Sequence, residues 1–223
     1  MEEKMDDEEL AAKIEHTLLK QDATVEQIKK LCIEAKENNF FGVCVSPYFV
    51  KDAVKFLQKS KQKVITVIGF PLGYSATISK VEEAKRAIME GATELDMVMN
   101  LSAFRDKQWK FIINDLESVR VVAQLHNSKL KVIIETCLLS GDEIRKACEL
   151  CAEVGVDFVK TSSGFSTGGV TVEAVRIMRE SLPKKIKIKA AGGIKSREFA
   201  EELIAAGADR IGSSASLSFM TEK

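Results

Sequence analysis

The chain has 223 residues, with 33 Lys+Arg balanced by 33 Asp+Glu and 45% hydrophobic residues. Zero formal charge removes the basic excess that nucleic-acid binding requires, and no apolar run approaches the roughly 20 residues of a membrane span. The start, Met1-Glu2-Glu3-Lys4-Met5-Asp6-Asp7-Glu8-Glu9, is acidic and lacks the apolar stretch of a secretory signal. Five cysteines is an odd number, which suits reduced thiols in a cytoplasmic protein. Cys148 and Cys151 form a C-x-x-C within a helical stretch, with no second pair or nearby histidine, and read as buried structural thiols. The two histidines, His16 and His126, have no metal-ligand spacing, so metal-free chemistry is expected.

In chain order, residues 7–14 read as a short amphipathic helix. Beyond it, short β-branched runs alternate with longer stretches of helical period. The expected strands are 17–20, 41–45, 64–69, 94–100, 131–136, 156–161, 186–190 and 210–212. The expected helices are 24–38, 48–59, 77–90, 110–126, 141–154, 171–181 and 197–206. Thr24 with Gln27 three residues on has the form of a capping box, and Ser140 before Gly141-Asp142-Glu143 is a second helix start. Gly91, Gly155 and Gly207 each follow a helix, where a left-handed closing residue is wanted. Eight strands alternating with helices leave an open doubly wound sheet or a closed (β/α)₈ barrel. The count of eight, the absence of G-x-G-x-x-G after the first strand, and unusual residues at strand ends (Asn100, Thr136, Lys160, Lys189) favour the barrel. One domain, residues 1–223, is expected: a TIM barrel with an extra N-terminal helix.

The chemistry concentrates where two strands each end in lysine and a glycine-bearing loop: Phe158-Val159-Lys160-Thr161-Ser162-Ser163-Gly164 and Ile186-Lys187-Ile188-Lys189-Ala190-Ala191-Gly192-Gly193. Strand alternation places Lys160 inward above Phe158, and Lys187 and Lys189 inward on the next strand. Consecutive barrel strands are neighbours. Two ammonium groups side by side repel, which eases loss of one proton, and a neutral amine can attack a carbonyl. The plainer alternative is that each lysine pairs with a carboxylate, Asp96 or Glu135 being at hand. Asp96, flanked by apolar strand residues, is a candidate ion-pair partner or proton shuttle. Three successive loops, Ser162-Ser163-Gly164, Gly192-Gly193 and Gly212-Ser213-Ser214, suit an anion such as phosphate. Cys44, ending the second strand before Ser46-Pro47, lies close to this face, as a site residue or a buried spectator.

These residues resemble the deoxyribose-phosphate aldolases, class I Schiff-base barrels. The resemblance is carried by Ile14-Glu15-His16-Thr17-Leu18-Leu19-Lys20, Val43-Cys44-Val45-Ser46-Pro47, Val67-Ile68-Gly69-Phe70-Pro71-Leu72-Gly73 and Glu94-Leu95-Asp96-Met97-Val98. Further matches are Lys131-Val132-Ile133-Ile134-Glu135-Thr136-Cys137, Phe158 to Phe165, and Lys189-Ala190-Ala191-Gly192-Gly193-Ile194. The resemblance implies cleavage of 2-deoxy-D-ribose 5-phosphate to D-glyceraldehyde 3-phosphate and acetaldehyde, with no cofactor. It implies Lys160 as the Schiff-base nucleophile, Lys189 as the lysine that depresses its pKa, and Asp96 as the proton relay. It further implies substrate or phosphate contacts at Thr161, Gly164, Gly192, Gly193, Gly212, Ser214, Thr17 and Cys44, and a homodimer or homotetramer. The chain departs from the family pattern at Glu15 (often aspartate), at Gln21 (often proline) and at Ala215-Ser216 (usually Ser-Gly). It ends at Lys223 without the tyrosine-bearing tail of some members. A different Schiff-base aldolase and a non-catalytic sugar-phosphate-binding barrel remain the alternatives.

Overall fold

The computed structural model describes residues 5–221; the sequence readings that fall on residues 1–4 and 222–223 lie outside it. Eight parallel strands close into a barrel in sequence order. They are β1 (Ile14–Leu18), β2 (Gly42–Val45), β3 (Lys63–Ile68), β4 (Glu94–Val98), β5 (Lys129–Ile133), β6 (Phe158–Lys160), β7 (Lys187–Ala191) and β8 (Arg210–Ser213). Strand β1 closes the ring by pairing with β8, Ile14 opposite Ile211. The helices are α1 (Asp7–Ala11), α2 (Val25–Glu37), α3 (Val50–Phe56), α4 (Thr77–Met89), α5 (Leu101–Arg105), α6 (Trp109–Leu125), α7 (Gly141–Val154), α8 (Val172–Ser181), α9 (Arg197–Ala205) and α10 (Ser218–Thr221).

The strands form because they are short, β-branched and covered on both sides, one face by helices and the other by the barrel interior. Val64 to Ile68 is buried at every position. Side chains such as Val43, Leu95, Val132, Val159, Ile188 and Ile211 join the continuous apolar layer between strands and helices. A separate, smaller cluster of Cys44, Ile65 and Val67 lies apart from it. Thr24 and Ser140 both make complete capping boxes, and Gly91, Gly155 and Gly207 all take positive φ. Cys148 and Cys151 are buried free thiols; burial pushes Cys148 up to about 12 and Cys151 well above the usual thiol value.

Several expected boundaries shift, among them β4, which ends at Val98 rather than 100, β5, which runs Lys129–Ile133 rather than 131–136, and the helix expected at 48–59, which spans Val50–Phe56. The first helix ends at Ala11 rather than 14, and β1 runs Ile14–Leu18 rather than 17–20. The strand was masked because it contains Glu15 and His16, whose polarity breaks the apolar pattern although both are buried. Strand β6 is only three residues long, Phe158–Lys160, instead of 156–161.

One ion pair braces the outside of the barrel. Lys80 on α4 is fully buried and donates to Asp115 Oδ2 on α6 at 2.6 Å and to the Val98 carbonyl at 3.1 Å. The Thr77 hydroxyl donates to the other Asp115 oxygen at 2.7 Å. This links two helices to the C-terminal end of β4, two residues beyond Asp96. Replacing Lys80 by methionine strands the Asp115 charge, and a stability loss of about 3–5 kcal/mol is expected, measured by urea unfolding; a loss below about 1 kcal/mol contradicts the bracing role.

Candidate active site

Inside the barrel, β4, β5, β6 and β7 present their inward side chains at matched heights. Asp96 is level with Lys131, Ile133 with Lys160, and Lys160 with Lys189. Asp96 is fully buried, and its two oxygens are shared among three lysine nitrogens. Oδ2 accepts from Lys160 Nζ at 2.9 Å and from Lys189 Nζ at 2.6 Å, while Oδ1 accepts from Lys131 Nζ at 2.9 Å. Two further carboxylates complete the layer. Lys131 Nζ lies 2.6 Å from Glu94 Oε2 and 3.5 Å from Glu15 Oε1. Glu15 also accepts from Lys189 and, at 3.3 Å, from Arg210.

The electrostatics of this layer follow from competition between burial and neighbours. Burial pushes the carboxyls of Asp96 and Glu15 up, but Lys131 and the other cations beside them outweigh it, so both are held below the usual carboxylate range. Burial likewise pushes Lys131 and Lys189 down, but Asp96 and Glu15 outweigh it and hold both above the usual lysine value. A bare lysine pair was expected to repel; instead Asp96 sits between the two nitrogens, and Lys189 is kept as an ammonium. Glu135, the other carboxylate considered as a partner, accepts from Ser163.

The three lysines are not equivalent. Lys131 contacts three carboxylates and Lys189 two, whereas the carboxylate contact of Lys160 is to Asp96. Lys160 also borders a cavity of about 420 Å³ at the C-terminal ends of β1, β6, β7 and β8, while Lys131 and Lys189 lie outside its wall. Beneath Lys160, the Phe158 ring fills the barrel as alternation predicted. It faces Lys131 at 5.7 Å and Lys187 at 5.9 Å; Lys187, expected inward beneath Lys189, is instead exposed at the start of β7 with its amine over the ring, away from the site.

Of the predicted contact residues, Thr17, Gly164, Gly192, Gly193, Gly212 and Ser214 line the cavity. Two do not. Thr161 is fully buried; its hydroxyl donates to the Ala191 carbonyl at 2.9 Å and accepts from the Ala191 N–H at 3.0 Å, tying β6 to β7. Cys44 is fully buried beside Ile65 and Val67, and burial pushes its thiol up. Gly212 has a steric reason to be glycine: a Cβ there would stand 2.9 Å from Lys189 Cε and 3.2 Å from Ala191 Cβ. Gly192, at φ 98°, needs the freedom only glycine has, and its Cβ would meet Ser162 Cβ at 2.9 Å. Sequence reasoning missed Lys131, Glu94 and Arg210 in the ionic layer, and the cations Lys20 and Lys195 on the cavity wall. Alternation along β5 was the available signal, since Lys131 is level with Asp96 and Phe158.

A parallel barrel with an amine at a cavity wall, a carboxylate behind it, and a rim of glycine, hydroxyl and lysine side chains defines a lysine-dependent barrel aldolase. The sequence profile described as DeoC/LacD family aldolase matches residues 4–217. The chain is 53% identical over 212 residues to the deoxyribose-phosphate aldolase of Thermococcus kodakarensis, covering 94% of this chain and 95% of that one. It is 48% identical to the enzyme of the same name from Clostridium perfringens, covering 98% and 97%. The barrel superimposes on a tetrameric deoxyribose phosphate aldolase from Aeropyrum pernix with a TM-score of 0.91 at 31% identity, covering 96% and 91% of the chains. An aldolase designated QR15 gives a TM-score of 0.91 at 42% identity, covering 96% and 95%. The chain belongs to the DeoC/LacD aldolase family.

Two outcomes follow from this geometry. Gly212→Ala forces Lys189 off Asp96, and a fall in turnover on the order of tenfold to a hundredfold is expected in steady-state assays; wild-type turnover would show that Lys189 can move freely. The pH dependence of stability has two edges. Asp96 and Glu15 are depressed on folding, so their contribution is present above their ordinary values of 3.8 and 4.5 and is lost as pH falls. Lys131 and Lys189 are raised, so theirs is complete below 10.5 and is lost as pH rises beyond it. Denaturant midpoints measured against pH are expected to show a plateau between these edges and a fall outside both.

Proposed function

We propose that this chain is a 2-deoxy-D-ribose 5-phosphate aldolase that reversibly cleaves its substrate to D-glyceraldehyde 3-phosphate and acetaldehyde, with Lys160 as the Schiff-base nucleophile. The observation that carries the assignment is the position of Lys160, the ionic layer's lysine on the cavity wall, bonded to Asp96 and backed by two lysines held charged. Its neutral amine attacks C1 of the open-chain sugar, and loss of water gives an iminium that withdraws electrons from C2. Asp96, acting through water, takes the proton of the C3 hydroxyl. The C2–C3 bond then breaks: its electron pair goes to the enamine, and the C3 aldehyde leaves as glyceraldehyde 3-phosphate. Protonation of the enamine carbon and addition of water release acetaldehyde and the free amine. Lys189 keeps Asp96 anionic and oriented, and passes protons within the same hydrogen-bonded layer.

The phosphate belongs at the rim formed by Gly164, Gly192, Gly193, Gly212 and Ser214, with Thr17 on the adjoining strand β1 and the Lys195 and Lys20 side chains supplying positive charge. The changed position Ala215 fits this placement. The Ala215 N–H donates to Ser213 Oγ at 3.0 Å, and the Ser216 hydroxyl turns inward to the Ser213 carbonyl at 2.9 Å. Ser214 and backbone groups thus carry the contact that a hydroxyl at 215 would otherwise share. Thr161 takes a positioning role, and Cys44 that of a wall behind the ionic layer. A homo-oligomer, dimer or tetramer, is supported by the tetrameric Aeropyrum pernix relative. A cytoplasmic enzyme is consistent with buried unpaired thiols and with the absence, among the described residues, of any helix long and apolar enough to cross a membrane.

Borohydride reduction in the presence of substrate is expected to trap a covalent adduct on Lys160, located by peptide mass. An adduct on Lys189, or none, overturns the assignment of roles. Lys160→Ala is expected to keep its fold while losing turnover by on the order of a thousandfold or more, followed by acetaldehyde formation in a coupled assay.

A further inference from the structure

The segment that follows β5 holds Lys160 from one side, and Glu135 is its unusual member. Glu135 takes φ 55° and ψ 63°, the left-handed region that glycine enters freely and a residue with a Cβ enters at a cost. The neighbouring backbone bonds explain the geometry. The Ile134 N–H donates to the Lys160 carbonyl at 3.0 Å, and the Thr136 N–H donates to the Thr161 carbonyl at 2.8 Å. Two residue steps on the β5 side therefore match one step on the β6 side, and Glu135 is the extra residue of a bulge at the strand end.

The side chain delivered by this bulge is only 3% exposed, and amide and hydroxyl donors satisfy it. The Ser163 N–H donates to its two oxygens at 3.1 and 3.2 Å, and the Ser163 hydroxyl donates to Oε2. Ser163 Oγ in turn accepts the Phe165 N–H at 3.1 Å. Phe165 meets Phe70, from the loop after β3, edge to face at 5.2 Å between ring centres. The bulge thus grips residues 160, 161 and 163 in succession, and Ser163 carries the grip on to 165. Lys160, Ser163, Gly164 and Phe165 are all on the cavity wall.

We propose that Glu135 is a positioning residue for the aldolase reaction: its carboxylate holds the loop after β6 so that Lys160 and the adjoining cavity rim keep one arrangement. The inference rests on the reading of Lys160 as the Schiff-base nucleophile. A glycine at 135 would relieve the backbone strain but would leave the Ser163 N–H and hydroxyl without their carboxylate, so the side chain's hydrogen bonds are what hold Glu135 in this conformation.

The test compares wild type, Glu135→Gly and Glu135→Gln by thermal midpoint, by kcat and KM, and by the rate at which borohydride traps substrate on Lys160. Glu135→Gly is expected to fold, with strain relief offsetting part of the lost hydrogen bonding, while its trapping rate and kcat at a temperature below its midpoint fall together on the order of tenfold to a hundredfold, the loss of a charged hydrogen-bond acceptor. Glu135→Gln keeps a carbonyl oxygen for the Ser163 N–H and is expected to recover most of that loss. Undiminished trapping and kcat in Glu135→Gly, with or without a lower midpoint, overturns the proposal and leaves Glu135 a brace for the fold. If Glu135→Gly fails to fold, Glu135→Asn is judged by the same criteria, since asparagine tolerates the left-handed region but its side chain is too short to reach Ser163. Failure of wild type to trap on Lys160 refutes the Schiff-base reading, a result distinguishable from equal trapping in wild type and variant.

Discussion

Everything in the site depends on Asp96 being shared. One buried carboxylate accepts from three lysine nitrogens, and such an arrangement holds only where opposite charges lie close together. Burying ions without partners is prohibitive, so the interior of this barrel is assembled as an ionic lattice: Glu15 and Glu94 join from β1 and β4, and Arg210 from β8. The lattice needs strands from around the ring. A broken strand register would separate partners that are contiguous only because the barrel closes β8 onto β1.

Within that lattice the reactive amine differs by what it lacks. Lys131 and Lys189 are surrounded by carboxylates and held charged, while Lys160 touches Asp96 and opens to the cavity. The mechanism therefore needs less from direct repulsion between two lysines than a bare pair would suggest. Selectivity for one amine comes from how many anions each nitrogen contacts and from which of them a substrate can reach. The glycines at 192 and 212 serve the same end, leaving room for a turn beside Ser162 and for the Lys189 side chain.

The barrel itself was legible in the sequence because its strands are short and β-branched on their helix-facing side and its helices are capped by recognisable signals, Thr24 with Gln27 and Ser140 with Glu143. The nucleophile candidates were legible because a lysine ending an apolar strand is unusual. What stayed hidden is what depends on contacts between distant strands. Glu15 disguised β1 by placing a charge where hydrocarbon is expected. Lys131 looked like the polar start of a strand, although it is fully buried beside Asp96. The resemblance implied a substrate contact at Thr161, yet its hydroxyl both donates to and accepts from the Ala191 backbone and lies off the cavity wall. Cys44 sits at the right height on β2 but behind the wall. The left-handed turn at Glu135 has no signature in a single sequence, since nothing local favours a glutamate there.

An interior made of ions rather than hydrocarbon has a thermal consequence. Apolar surface exposed on unfolding raises the heat capacity, whereas polar surface lowers it. A barrel that fills its centre with Asp96, Glu15, Lys131 and Lys189 therefore unfolds with a smaller heat-capacity increment than one packed with branched aliphatic layers. Its stability curve is correspondingly flatter. The desolvation penalty of its buried charges also shrinks on heating, so the lattice that prepares Lys160 is favoured most toward the warm end of the range.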